Sequence, residues 1–302
     1  MSALCMPVGN IVYLCAVMYD ANVLGKPFRD FSLNVCGSLF SLDRPQVMGI
    51  LNCTPDSFYA SSRTTQEETI IQRARQIVDE GGTIIDVGAC STRPSSAPVS
   101  EAEEMERLRK ALPIIVRSCP STPLSIDTFR PDVARMCVEE YGATIINDVG
   151  QTATHAPRSE QERRTMFTMV SRLRVPYVLT SGEATMEAML LQLERDIEAL
   201  HAEGVADVIA DPGFGFGKDM AQNYAILGAL EQLHLLRVPL LVGVSRKSMF
   251  TRLLNISAEE ALNATTAAHA IALIKGAHIL RVHDVKAAAE AIAVTKMTTD
   301  NS

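Results

Sequence analysis

Asp127, Asn147 and Asp211 each stand at the end of a short apolar run, in the segments "SIDTF", "IINDV" and "ADPGFGFGK". Any one of them is ordinary cap or turn chemistry. Together, carboxylate and amide groups converging from separate runs suit the polar edge of a heterocycle, because buried groups of this kind are costly unless paired. The last segment also alternates glycines with phenylalanines. Glycine lets backbone approach a ligand closely, and Phe216 offers a flat apolar face. A second set is cationic: Lys247, Arg281 and His283, joined by Arg93 in "STRP". These fit an anion, most simply phosphate or diphosphate. The segment "GVSRKS" opens a helix, whose N-terminus favours negative charge. Asn52 offers a hard oxygen to Mg²⁺, an ion that commonly completes its shell with substrate phosphates and water. No Asp/His cluster has the spacing of a tight zinc site.

Such groups need a frame that brings distant segments to one end. Short apolar runs at 46–51, 83–87, 123–126, 144–146, 175–179, 206–210, 240–244 and 277–282 read as strands. Asp86 falls within the second. Each run is followed by a segment of helical periodicity, at 66–80, 101–117, 131–141, 161–174, 186–202, 220–235, 258–275 and 285–295. The runs are continuously apolar, as expected for parallel strands covered on both faces. Eight β-then-α units predict an α/β fold, a single (β/α)₈ TIM barrel whose active site gathers at the strands' C-terminal ends. The competitor, a doubly wound open sheet, lacks its Gly-x-Gly-x-x-Gly after the first strand. Alternating residues at 31–42, around Cys36-Gly37-Ser38, predict an N-terminal β-hairpin across the barrel's base. The expected division is an extension at 1–30, one domain at 31–297 and a tail at 298–302.

Of the 302 residues, 47% are hydrophobic, enough for one large domain. No stretch reaches the ~20 apolar residues of a membrane span. The apolar run 11–19 is short and has no Lys or Arg before it, so it lacks the basic segment of a secretory signal. Met6 and Met18 are alternative starts. The seven cysteines are odd in number and contain no Cys-x-x-Cys, which points to reduced thiols in the cytoplasm. A net charge of −7 argues against nucleic-acid or anionic-membrane partners. An anionic substrate would therefore need locally focused cations.

The ordered set of motifs resembles the dihydropteroate synthase family of pterin-binding enzymes. It runs "MGILNCTPDSF", "IIDVGACSTRP", "SIDTF", "IINDV", "DPGFGFGK", "GVSRKS" and "ILRVHDV", covering the chain from Met48 to the final helix. The resemblance implies joining of 6-hydroxymethyl-7,8-dihydropterin diphosphate to 4-aminobenzoate, with release of diphosphate. It implies that Asp127, Asn147, Asp211 and Lys247 hold the pterin, with Arg281 against its ring and Val282 alongside. Asn52, Arg93, Arg281 and His283 address the diphosphate, and Mg²⁺ sits on Asn52. Thr92, Pro94, Phe216 and Ser245 border the aminobenzoate pocket. The resemblance also implies a homodimer and competition by sulfonamides, which mimic 4-aminobenzoate. The apolar helices at 261–275 and 287–294 either cover the barrel or form the dimer seam.

The chain departs from the family in three places. Thr180-Ser181 stands where Met-His is usual, and that methionine would floor the pterin pocket. Ser95 replaces the glycine of Ser-Thr-Arg-Pro-Gly. Cys53 takes the place of a small aliphatic residue and reads as a buried structural thiol. Two other readings share part of the set. A methyltetrahydrofolate-dependent methyltransferase domain would share Asp127, Asn147 and Asp211, but would not need Thr92-Arg93-Pro94 or the cationic set. A non-catalytic pterin-binding paralogue is motivated only by the loss of Met-His.

Overall fold

A computed structural model describes residues 30–35, 37–53, 63–90, 99–150 and 159–299. The chain opens with an antiparallel hairpin, β1 (Ser32–Val35) and β2 (Ser38–Ser41). The barrel strands follow as β3 (Gln46–Asn52), β4 (Ile84–Gly88), β5 (Leu124–Asp127), β6 (Ile145–Asp148), β7 (Tyr177–Thr180), β8 (Val208–Asp211), β9 (Leu241–Val242) and β10 (Ile279–Val282). Between and after them run α1 (Arg63–Asp79), α2 (Glu101–Ser118), α3 (Pro131–Tyr141), α4 (Glu160–Leu173), α5 (Met186–Ala202), α6 (Met220–Gly228), α7 (Ser248–Leu254), α8 (Leu262–Ile274) and α9 (Val285–Thr299). Each strand pair is parallel, in the order β8-β7-β6-β5-β4-β3-β10-β9. A bridge from Ala210 to Leu240 joins β8 to β9 and closes the circle. This is the expected TIM barrel.

Alternation along the strands separates two apolar layers. Val47, Leu51, Ile85, Val87, Ile126, Ile146, Tyr177 and Leu179 pack outward against the helices. Met48, Ile84, Ile145, Val178, Ile209, Leu241 and Ile279 fill the lower lumen. Leu33 and Leu42 from the hairpin join that lumen cluster and plug its base. Burial of one such side chain contributes about 1.5–3 kcal/mol. The hairpin is tied down further where the Asn34 amide donates to Asp207 (2.8 Å) and Phe31 meets His278 edge-on. With the base filled, open space for chemistry is left at the other end.

The helix starts are set by local chemistry. Ser100 with Glu103, Ser159 with Glu162 and Asp219 with Gln222 form reciprocal capping boxes at α2, α4 and α6. Pro131 occupies the first turn of α3, where no N–H is needed. Several boundaries differ from the sequence reading. The helix expected over 220–235 stops at Gly228 and continues as a 3₁₀ segment, Leu230–Leu236. The strand expected over 240–244 shrinks to Leu241–Val242, because Val244 turns its carbonyl to the Lys247 amide instead of to a neighbouring strand. Helix α9 runs on to Thr299, past the helix end expected at 295, and the Thr298 hydroxyl donates back to the Val294 carbonyl.

On α8, His269 is fully buried and neither ring nitrogen has a partner among the described residues. Burial pushes its pKa from 6.5 down to about 4, and His283 shifts equally for the same first reason. A depressed folded-state pKa means that the stabilisation is intact above about pH 6.5. It is lost as pH falls from there toward about 4, at up to roughly 1.4 kcal/mol per unit for each histidine. The difference in urea stability between wild type and His269→Phe should carry the His269 share of this slope across that window, because the raised Asp127 and Asp211 carboxyls oppose it in the total. An unchanged slope would remove His269 from the account.

Candidate active site

Above the apolar plug, the lumen turns polar. Arg281 projects from β10, in register with Met48 of β3. Its Nε donates to Asp86 Oδ2 at 2.6 Å, and another guanidinium nitrogen donates to Asp127 Oδ2 at 2.6 Å. Asn147 Nδ2 donates to the same Asp86 oxygen at 3.2 Å. Asp86 is completely buried. One guanidinium thus links β10 to β4 and β5, and Asp86 links them on to β6. Two carboxylates face a single cation here, inside the barrel. Burial pushes the Asp127 carboxyl well above the usual carboxylate range, although Arg281 pulls it the other way. Asp211, at the end of β8, is also pushed up by burial, opposed by the Gly213 amide at 2.8 Å and by Lys247.

The same lumen holds polar atoms with nothing to bond. Asp86 Oδ1, Ser125 Oγ, Asn147 Oδ1 and Thr180 Oγ1 are buried without a partner among the described residues. Buried polar groups are nearly always satisfied in folded proteins. A flat ring carrying complementary donors and acceptors would satisfy this set.

The rim, by contrast, is held by saturated contacts. Gly213 adopts φ 65°, and a Cβ there would lie 2.1 Å from the Ser181 carbonyl, so only glycine fits. Lys218 is buried and donates to the carbonyls of Ser181 (3.1 Å), Gly213 (3.0 Å) and Phe216 (3.2 Å), which pins the loop after β8. Burial lowers its pKa to about 8. Phe214 turns into the core, whereas Phe216 stays half-buried beneath Lys247, whose Nζ is 4.5 Å from the ring centroid. Lys247 precedes α7 as its N-cap. The turn before it is fixed by Arg246, in the left-handed region at φ 54°. Arg246 pairs with both oxygens of Asp284 at 2.8 Å and reaches the carbonyls of Ala258 and Glu259. Ser245 Oγ accepts the His283 amide at 3.2 Å. Arg73 of α1 donates to the carbonyls of Ile50 and His283, and so clamps β3 to the end of β10.

The structure therefore brings Asp127, Asn147, Asp211 and Arg281 together in the lumen, with Lys247, Phe216, Ser245 and His283 around its mouth. Asn52 lies at the exposed end of β3, its Oδ1 leaning toward Gly88. One expectation needs correction. Val282 alternates with Arg281 and packs in the helix-facing core, so its side chain is turned away from the lumen. Burial, reinforced by Arg281, lowers the His283 pKa to about 4 and disfavours its charged form. Thr92, Arg93, Pro94 and Ser95 lie outside the described residues. Cys53 is buried and its thiol pushed up to about 12, as a structural thiol should be. Sequence reading left Asp86, Lys218, Arg73 and Arg246 without roles. For Asp86 the signal was present, since an acid inside an apolar strand requires a buried partner.

Comparison with known proteins adds three findings. The family model for pterin binding enzymes matches residues 48–283. A dihydropteroate synthase from Escherichia coli (strain K12) is 35% identical over 268 residues, covering 87% of this chain and 94% of that protein. Two solved structures superpose closely. The Xanthomonas albilineans dihydropteroate synthase with 4-aminobenzoic acid has a TM-score of 0.76 at 36% identity, covering 90% of this chain and 99% of that one. The Coxiella burnetii dihydropteroate synthase in complex with pteroic acid has a TM-score of 0.76 at 32% identity, covering 90% and 100%.

Removing one member of a buried ion pair strands its partner. Asp86→Ala should therefore destabilise the protein by about 3–5 kcal/mol, measured by urea denaturation at pH 7. A loss below about 0.5 kcal/mol, the range of an ordinary surface substitution, would show that Asp86 does not organise the lumen.

Proposed function

The chain belongs to the pterin-binding enzyme family, and from that premise we infer how its strand ends divide the work of a dihydropteroate synthase. The reaction joins 6-hydroxymethyl-7,8-dihydropterin diphosphate to 4-aminobenzoate and gives 7,8-dihydropteroate and diphosphate. The observation that carries the assignment of roles is the set of unpartnered polar atoms in the lumen, beside the ion pairs of Arg281 with Asp86 and Asp127. Asp127, Asn147 and Asp211 meet the pterin edge, and Lys247 adds a donor from above. Arg281 lies against the ring, held there by Asp86 and Asp127.

The carbon–oxygen bond to diphosphate breaks and leaves positive charge on the pterin methylene. Fixed carboxylates in a low-dielectric lumen stabilise that charge as it forms. The neutral amine of 4-aminobenzoate then forms the carbon–nitrogen bond and loses a proton. No nucleophilic triad is needed. Phe216, stacked under Lys247, walls the aminobenzoate from the pterin, with Ser245 beside it and Thr92 and Pro94 closing the pocket. Arg93, Arg281 and His283 receive the leaving diphosphate.

Mg²⁺ fits this mouth as a companion of the diphosphate. Asn52 presents one hard oxygen at an exposed strand end, and this ion commonly takes one or two protein ligands beside substrate phosphates. When bound, the ion neutralises charge on the leaving group. We place the enzyme in the cytoplasm, in keeping with its free Cys53, Cys90, Cys119 and Cys137. We also read it as a homodimer. Leu262, Ile271 and Ile274 on α8 and Val294 and Met297 on α9 expose an apolar strip that a second copy would cover.

Purified protein with pterin diphosphate, 4-aminobenzoate and Mg²⁺ should form dihydropteroate. Lys247→Ala and Asp211→Asn should each cut kcat/KM at least about tenfold, the loss of one charge-assisted hydrogen bond. Near-normal turnover in both variants would refute this placement of the pterin. A sulfonamide should raise the KM for 4-aminobenzoate without changing kcat, and purely non-competitive inhibition would contradict the Phe216 pocket.

A further inference from the structure

We propose that the Thr180 hydroxyl is a specificity-determining contact to the pterin ring, a polar group in the wall of the lumen. The inference rests on the pterin reading above and deepens it. Thr180 ends β7, directly opposite Asp211 of β8. Val178, two residues earlier, belongs to the lumen cluster, while Tyr177 and Leu179 pack toward the helices. Strand alternation therefore aims Thr180 into the lumen. Its side chain is fully buried, and its Oγ1 has no partner among the described residues.

The neighbouring contacts narrow where the hydroxyl can point. The Thr180 methyl lies against the loop, 3.0 Å from where a Cβ on Gly213 would stand. A β-branched side chain has few χ1 choices, so fixing the methyl fixes the hydroxyl as well. Ser181 behaves differently. Its Oγ donates to Gln192 Oε1 of α5 at 2.6 Å and accepts the Glu183 amide at 3.2 Å. Of the two residues that replace Met-His, one has become part of the scaffold and the other faces the lumen. Asn147 Oδ1, on adjacent β6, is similarly unpartnered. Asn147, Thr180 and Asp211 thus form an arc across three adjacent strands. A hydroxyl both donates and accepts, so it can pair with either a ring nitrogen or a ring N–H. A ring with carbon at that position would leave the hydroxyl unpaired and bind less well.

The test uses pterin-6-carboxylate as the probe, titrated into wild type, Thr180→Val, Thr180→Ser and Asp211→Asn. Thr180→Val keeps the shape and removes the hydroxyl. It should weaken probe binding about 3- to 10-fold, the worth of one neutral hydrogen bond, while Thr180→Ser stays within about 2-fold. The KM for pterin diphosphate should rise by a similar factor, with the KM for 4-aminobenzoate unchanged. The urea midpoint of ligand-free Thr180→Val should not fall, because no protein group loses a partner. Unchanged probe affinity in Thr180→Val overturns the proposal, as does a lowered urea midpoint with unchanged affinity, which would make the hydroxyl structural. Weakened binding in Asp211→Asn alone would discard the hydroxyl's role and leave the pterin site standing. No effect in either variant, or no binding by wild type, would overturn both.

Discussion

A guanidinium held between two carboxylates inside a barrel is the interaction on which the rest of this structure depends. Arg281 joins Asp86 and Asp127 across β10, β4 and β5, and Asn147 joins from β6. Buried ion pairs are weak sources of net stability, because desolvation offsets much of the attraction. Their value here is geometric. Each member fixes the others' rotamers, so four strands hold these polar side chains against one another.

That arrangement works only if the frame around it does not yield. Below, Leu33 and Leu42 close the base, so Arg281 cannot sink toward the hairpin. Above, Arg73 ties the carbonyls of β3 and β10 together immediately beside the triad. Arg246 spends its guanidinium on Asp284 and two carbonyls, which sets the turn from which Lys247 reaches over Phe216. Lys218 gathers three carbonyls and holds open the loop that a sharp glycine turn begins. Cations in this chain therefore have two uses. Some neutralise backbone carbonyls and shape loops, while others face the substrate.

The barrel was legible in the sequence because its strands are uninterrupted apolar runs and its helices begin at recognisable caps. Asp127, Asn147 and Asp211 were legible for a related reason: a polar residue directly after an apolar strand must lie at an end of the sheet. The sequence was less informative about what a cation does. Lys218 and Lys247 both follow glycine-containing loops, yet one is buried against carbonyls and the other stacks on an aromatic ring. Nothing local to either residue distinguishes them, since the difference lies in contacts with Ser181 and Phe216 made only after folding. Val282 shows the opposite failure. Its neighbours carry the chemistry, but the two-residue period of a strand turns it to the other face.

Satisfaction of polar groups separates scaffold from site more sharply than residue type does. Ser181, Asn223, Lys218 and Arg246 are polar, largely buried and supplied with partners. Thr180, Asn147, Ser125 and Asp86 are just as buried, and each keeps one oxygen without a partner. The second group occupies adjacent strands, β4 to β7, above the apolar plug, whereas the first surrounds the rim. A polar atom left unpaired in a dry interior costs the folded chain on the order of 1–3 kcal/mol. Glu104 Oε1, Arg163 Nε and both His269 nitrogens are likewise unpartnered among the described residues, but the four lumen atoms face one space, where a single ligand can relieve them together. A ligand that meets several of these groups at once gains more than one that meets a single group, which favours a ring with several polar edge atoms.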